Sequence, residues 1–291
     1  MDSNGNARKD AIFLYGKCPC RSNSHTHRQG FIGKNIERKL SGIKVNSFKC
    51  VDSTNNVAKT LAENGCEEGE LVIAERQTAG RGRLGRSFLS QKGGIYLSLV
   101  LKPTIPPQDT LFITTAAAVA VCRAIESVSG KKCDIKWVND VYISGKKVCG
   151  ILTEGAFNAD GSLKYAILGV GINLFCPKHN FPENLPLADS VFHKKDGKIF
   201  KNRIKKQVIA EFVNVFMSFY KDLQQKDFMS EYQTRSLLTG KEITYEKDGE
   251  KFAATVIGID NDAHLVIERD GKREFLSQGE IQIVGMEQLS V

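Results

Sequence analysis

One short segment, Gly80-Arg81-Gly82-Arg83-Leu84-Gly85-Arg86, constrains this chain more than any other. It lies between two apolar runs of strand length, Glu70-Leu71-Val72-Ile73-Ala74-Glu75 and Ile95-Tyr96-Leu97-Ser98-Leu99-Val100-Leu101. That pattern predicts strand, loop, strand, so the chain has to build a sheet with one glycine-rich connection. The glycines let that backbone turn tightly and approach a ligand closely. The three arginines present fixed forks of donors, which suit an anion such as a phosphate or an acyl phosphate. A hairpin loop with solvated arginines is the blander reading of the same residues.

Gly80 to Gly85 also fits the spacing G-x-G-x-x-G, but the dinucleotide fingerprint has to open a helix. Here the glycines run into Ser87-Phe88-Leu89-Ser90-Gln91-Lys92-Gly93-Gly94 and then another strand, so no helix N-terminus is expected to hold a pyrophosphate.

The net charge of +8 suggests nucleic acid until its distribution is read. Residues 1–44 hold nine Lys or Arg against three acids, a net +6, which leaves +2 for the rest. The body is close to neutral, and the excess sits in a polar N-terminal arm for which disorder is the expectation. No uninterrupted run of about 18 apolar residues is present, so no membrane-spanning helix is expected. No secretory leader is expected either, and a cytoplasmic location follows from both readings. Of eight cysteines, Cys122, Cys149 and Cys176 fall in apolar stretches, which predicts buried reduced thiols rather than a disulfide framework. Cys18-Pro19-Cys20 with His25 and His27 matches no standard zinc spacing, and no metal ligand set is assigned.

Periodicity divides residues 45–236 from residues 237–291. In the first part Asp52-Ser53-Thr54 supplies capping side chains for a helix ending near Asn64-Gly65. A buried helix is expected over 108–129 and an amphipathic one over 203–225, with Ile209, Phe212, Val213, Phe216 and Tyr220 on one face. Asp134–Val138 and Lys147–Glu154 predict two strands joined through Asn139-Asp140 and the Ser144-Gly145 turn, and Tyr165–Asn173 predicts another. In the second part, alternating runs at 242–246, 252–259, 264–269, 273–276 and 281–284 predict a small β-barrel of about 50 residues.

The second chemistry-bearing block is Lys136-Trp137-Val138-Asn139-Asp140, followed by Gly145-Lys146-Lys147 and Gly150-Ile151-Leu152-Thr153-Glu154. Side by side, Asn and Asp are first of all a turn signal. Set among lysines, that carboxylate can hold a metal or act as an oriented base. Lys147 opens an apolar strand, where a partly desolvated ammonium would stabilise charge on a phosphate.

Together with Asp52-Ser53-Thr54-Asn55, Gln77-Thr78-Ala79-Gly80 and Gly169-Val170-Gly171-Ile172-Asn173, these blocks resemble, in order and spacing, the biotin protein ligases over about residues 45 to 291. The resemblance implies an α+β fold: a catalytic domain like that of class II aminoacyl-tRNA synthetases, with a mixed sheet, and a small C-terminal SH3-like β-barrel. It implies that biotin and MgATP give biotinyl-5′-AMP and pyrophosphate, and that biotin then passes to the ε-amine of a lysine on a biotin carboxyl carrier domain. It places Ser53, Thr54 and Gln77 at the ureido ring, with Asn55, Gly80 and Gly150 also at biotin. Arg81 and Arg83 fold over biotin and phosphate. Phe88 stacks on adenine, with Arg86, Asn139 and Asn173 also at the nucleotide. Lys147 bridges the biotin carboxylate and the α-phosphate, and Asp140 engages the acceptor lysine. Lys147, Arg83 and Asp140 form the catalytic set.

Two departures qualify the resemblance. Val138 stands where the family block has proline, which puts the rigidity of that turn in doubt. The 44-residue arm has no pair of periodic helices, so a DNA-binding domain is not expected and the reading is of a monofunctional ligase. A homodimer is an arrangement many relatives use. The alternatives are a lipoate or octanoate ligase of the same fold, a nucleic-acid-binding regulator, and an inactive adenylate-binding relative.

Overall fold

The computed structural model describes residues 40, 42–193, 196, 200–247, 249–277, 279 and 281–284. The expected disordered arm, apart from its last few residues, and the Cys18-Pro19-Cys20 cluster lie outside them.

Seven strands form the main sheet: β1 (Val45–Phe48), β2 (Leu71–Ala74), β3 (Ile95–Leu101), β4 (Asp134–Lys136), β5 (Asp140–Ile143), β6 (Lys146–Phe157) and β7 (Leu163–Ile172). Their order is β1-β2-β3-β7-β6-β5-β4; β1 and β2 are parallel and every other pairing is antiparallel. The mixed sheet is the one the resemblance implied. Alternation along its strands sorts the two faces. Ile95, Leu97, Leu99 and Leu101 of β3, and Ala166, Leu168, Val170 and Ile172 of β7, join the large core. Helices α2 (Leu111–Ser129) and α3 (Lys201–Tyr220) complete that core. The opposite face carries α1 (Thr54–Glu63), whose Val57, Ala58 and Ala62 pack on Val72, Ala74, Val100 and Ile167.

The span Pro107–Ser129 is long and apolar enough to cross a membrane by composition, although threonines interrupt its apolar run. Most of its apolar stretch, 72% of an 18-residue window, is buried inside the fold, which is the signature of a core helix. The helix expected over 108–129 is thus α2, preceded by a short 3-10 turn at Pro107–Thr110. The helix expected over 203–225 ends at Tyr220, with a separate 3-10 turn at Leu223–Gln225. A six-residue helix, α4 (Met229–Thr234), has too short a pattern to be read from sequence.

The C-terminal strands are β8 (Glu242–Lys247), β9 (Glu250–Ile259), β10 (Leu265–Arg269), β11 (Lys272–Leu276) and β12 (Ile281–Ile283). They make a five-stranded antiparallel sheet in the order β11-β10-β9-β8-β12, near the expected positions. Trp137 ties this sheet to the first: its indole N–H donates to the Ala263 carbonyl at 2.8 Å, and both residues are buried. The Trp137–Val138 peptide is cis, and the Val138 carbonyl accepts from the Tyr232 hydroxyl at 3.0 Å.

One lysine is buried in the core beside the loop. Lys205 on α3 is 9% exposed and donates to the Gly94 carbonyl at 2.7 Å, where the Arg-Gly connection re-enters β3. Burial lowers its pKa from 10.5 to about 8, against the pull of Glu75 and with the push of Lys201. A lysine with a lowered folded pKa penalises the folded state fully below about pH 8, and the penalty fades as pH rises toward 10.5. Wild type should therefore gain stability over Lys205→Met between about pH 7 and pH 10, measured as the difference in urea midpoints. A difference that stays flat across that range would contradict the burial account.

Candidate active site

The loop meets the sheet over a floor of small residues. Pairing places Tyr96 beside Gly171, Gly171 beside Gly150, Gly150 beside Asp140, and Asp140 beside Lys136. The adjoining row runs from Ser98 through Gly169 to Leu152. Glycine is required here by close approach. A Cβ on Gly171 would stand 2.6 Å from the Phe88 ring, and one on Gly169 would stand 2.1 Å from Asn55 Oδ1. Phe88 accordingly lies over Gly150 and Gly171 and meets Tyr96 edge-on, at 6.4 Å between ring centroids.

Above the floor is a cleft of about 160 Å³. Its lining holds Ser53, Thr54, Asn55, Gln77, Arg81 and Arg83, and also Arg86, Phe88, Asn139, Asp140, Lys147 and Gly150. The structure thus brings together twelve of the fourteen residues expected at the site. The two others stand outside the lining. Gly80 packs beneath the loop, where a Cβ would meet the Phe88 carbonyl at 2.3 Å and the Ser90 hydroxyl at 2.5 Å. Asn173 is buried at the end of β7 and borders a separate recess of about 10 Å³ with Leu89, Tyr96 and Phe175.

Gln77 rather than Asp52 or Ser53 caps α1. Its Oε1 accepts from the Thr54 N–H at 2.7 Å, and Ser53 makes no capping hydrogen bond. Gln77 Nε2 donates to the Ser90 hydroxyl at 2.8 Å. Ser98, fully buried, donates to Asn55 Oδ1 at 2.6 Å and lies 2.8 Å from the Thr54 hydroxyl. A set of amide and hydroxyl groups is thereby fixed along one wall. A lone serine in the apolar run of β3 was the sequence signal for Ser98.

The opposite wall is charged. Lys147 Nζ is 2.6 Å from Asp140 Oδ2. Asn139 Nδ2 donates to Asp140 Oδ1 at 3.1 Å and to the Ile151 carbonyl at 2.9 Å, and Arg83 donates to Asn139 Oδ1 at 3.1 Å. Asn139-Asp140 is more than a turn between two strands, because Asp140 opens a separate strand, β5. A register shift between Val141 and Tyr142 pairs Tyr142 with Lys147. Strict alternation would send Lys147 to the core face with Cys149 and Ile151; the bulge re-aims it at Asp140.

The Arg-Gly segment contains only a three-residue 3-10 turn, Arg83–Gly85, so the helix required by a dinucleotide site is not there. Leu84, 72% exposed, forms its tip. Gly279 and Ile281 close the cleft from the C-terminal sheet, a contribution with no local signal in the sequence. Of the expected buried thiols, Cys122 and Cys149 are buried, and burial holds both well above the usual thiol range; Cys176 is only half-buried. All the described cysteines are free.

Residues 47–173 match the model of the biotin/lipoate A/B protein ligase family. The chain is 37% identical over 223 residues to the bifunctional ligase/repressor BirA of Bacillus spizizenii, covering 75% of this chain and 67% of that one. It is 29% identical over 237 residues to the biotin–[acetyl-CoA-carboxylase] ligase of Mycobacterium tuberculosis, covering 79% of this chain and 85% of that one. Among solved structures, the biotin protein ligase of Aquifex aeolicus in complex with biotin and ATP superposes with a TM-score of 0.67 at 27% identity, covering 82% of this chain and 98% of that one.

Gly169→Ala should cost about 1–3 kcal/mol, because its methyl group would displace Asn55 from Ser98. Urea unfolding checks this, and a variant as stable as wild type would mean that Asn55 has room to move.

Proposed function

This chain belongs to the biotin/lipoate A/B protein ligase family, and from that premise we propose that it is an ATP-dependent biotin–protein ligase. The observation that carries the reading is the continuous chain of contacts from Arg83 through Asn139 and Asp140 to Lys147 along one wall of a cleft whose other wall is polar and neutral. Such a cleft suits a substrate with an uncharged hydrogen-bonding head and an anionic tail. Ser53, Thr54, Asn55 and Gln77 would receive the ureido ring, because a buried polar head loses affinity wherever a partner is missing.

In the first step a carboxylate oxygen of biotin attacks the α-phosphorus of ATP, and the bond to the β-phosphate oxygen breaks. Biotinyl-5′-AMP and pyrophosphate result. Negative charge accumulates on the α-phosphate oxygens, where Lys147 and Arg83 would stabilise it in a site prepared before the reaction begins. Magnesium would arrive with the nucleotide and help to neutralise its phosphates; Asp140 is the carboxylate that the described lining offers to hold it. In the second step the ε-amine of a lysine on a biotin carboxyl carrier domain attacks the biotinyl carbonyl, and AMP leaves. Asp140 would orient that amine and take its proton as Lys147 turns to the phosphate. Phe88 would lie against adenine, with Arg86 and Asn139 at the phosphates. Closure of the loop would exclude water from the hydrolysable anhydride. Residues 45–236 would serve as the catalytic domain and residues 237–291 as an SH3-like domain, in a cytoplasmic enzyme.

Biotin-dependent pyrophosphate release from MgATP tests this reading directly. Lys147→Ala should lower that rate by about 10²-fold, the effect of removing one charge-stabilising donor; a near-normal rate would remove Lys147 from the mechanism. Arg83→Gly should let biotinyl-5′-AMP escape and label bystander lysines. Labelling confined to the carrier would contradict the enclosure role.

A further inference from the structure

The loop carries three arginines, and the structure gives two of them different partners. Arg83 reaches Asn139 on the charged wall. Arg81 turns the other way: one terminal nitrogen is 2.8 Å from Glu154 Oε1, and the other donates to Asn56 Oδ1 at 3.1 Å. Glu154 divides its oxygens as well, with Oε2 accepting from Asn55 Nδ2 at 2.7 Å. Alternation along β6 puts Glu154 on the same face as Gly150 and Leu152, yet it lies behind the cleft lining rather than in it.

Resting on the proposed biotin ligase reading, we propose that Glu154 is a positioning residue that latches the Arg-Gly loop over the cleft, with Arg81 as the loop's half of the latch. The arginine fork is occupied by a carboxylate and an amide of the protein itself, so Arg81 holds the loop down and leaves the substrate's anion to Arg83 and Lys147. The same carboxylate fixes Asn55, whose Oδ1 is already engaged by the buried Ser98. Loop position and the shape of the polar wall are therefore set through one side chain: while Arg81 is docked, Asn55 is held against the floor. The latch is partly open to solvent, with side-chain exposures of 48% for Arg81 and 32% for Glu154. An ion pair of that exposure is weak enough to open in each cycle for substrate entry and product exit.

Glu154→Gln retains a carboxamide oxygen for Asn55 and removes the charge that Arg81 needs. Trypsin cleavage after Arg83 in the substrate-free protein should become about fivefold faster in this variant, the upper end of what a half-exposed ion pair supplies. With biotin and MgATP, labelling of serum albumin as a bystander should rise by a similar factor, while biotin-dependent pyrophosphate release stays within about twofold of wild type. Arg81→Gln should match it in bystander labelling, and the double variant should add nothing further, because both substitutions break one contact. Unchanged cleavage after Arg83, or additive effects in the double variant, would overturn the latch. A wild-type protein that releases no biotin-dependent pyrophosphate would overturn the ligase reading instead, and the cleavage comparison would still judge the latch.

Discussion

Like charge gathered over a sheet governs this structure. Arg81, Arg83, Arg86 and Lys147 all line one cleft of about 160 Å³. Such a cluster repels itself unless the fold supplies compensating groups at fixed positions. Glu154 meets Arg81, Asp140 meets Lys147, and Asn139 holds Arg83 through its carbonyl oxygen. These groups come from β6, β5 and the turn before β5. The sheet therefore has to bring those strands together in one register before the loop can settle. What remains is a cleft biased toward anions, with its cations already aimed.

The floor makes that arrangement possible. Gly150, Gly169 and Gly171 remove side chains where the loop and α1 approach, and the space is taken by Phe88 and Asn55. A sheet with larger residues in those rows would hold the cationic loop away from the strands, and no enclosed site would form. The glycines cost strand propensity, which the flanking apolar residues of β6 and β7 recover by packing under α2 and α3. Fold and site thus share the same strands, one face for stability and the other for chemistry.

Much of this was legible in the sequence because its signals are local. The two apolar runs around Gly80–Arg86 became β2 and β3, and the short alternating runs after residue 240 became the second sheet. What escaped depends on register or on distant partners. Lys147 faces Asp140 because a bulge breaks the alternation, and two-residue periodicity carries no trace of it. Glu154 was visible only as the end of a motif, since its partner Asn55 is 99 residues away. Gln77 took over the cap expected from Asp52-Ser53-Thr54, a choice made by tertiary contact. Asn173 sat in a recognisable motif, and the backbone hydrogen bonds that tie it to Val148 and Val191, beside a neighbouring recess, join distant segments that leave no local signal.

The measurement that bears most directly on the central claim is transfer of label to a purified biotin carboxyl carrier domain, with MgATP and either biotin or lipoate. The account predicts labelling of one carrier lysine with biotin and none with lipoate, because the fixed amides and hydroxyls of Thr54, Asn55 and Gln77 make a polar wall that suits a hydrogen-bonding ureido ring and not an acyl chain that lacks one. Labelling with lipoate and not with biotin would contradict it, keeping the fold and the charged wall while overturning the role of the polar one.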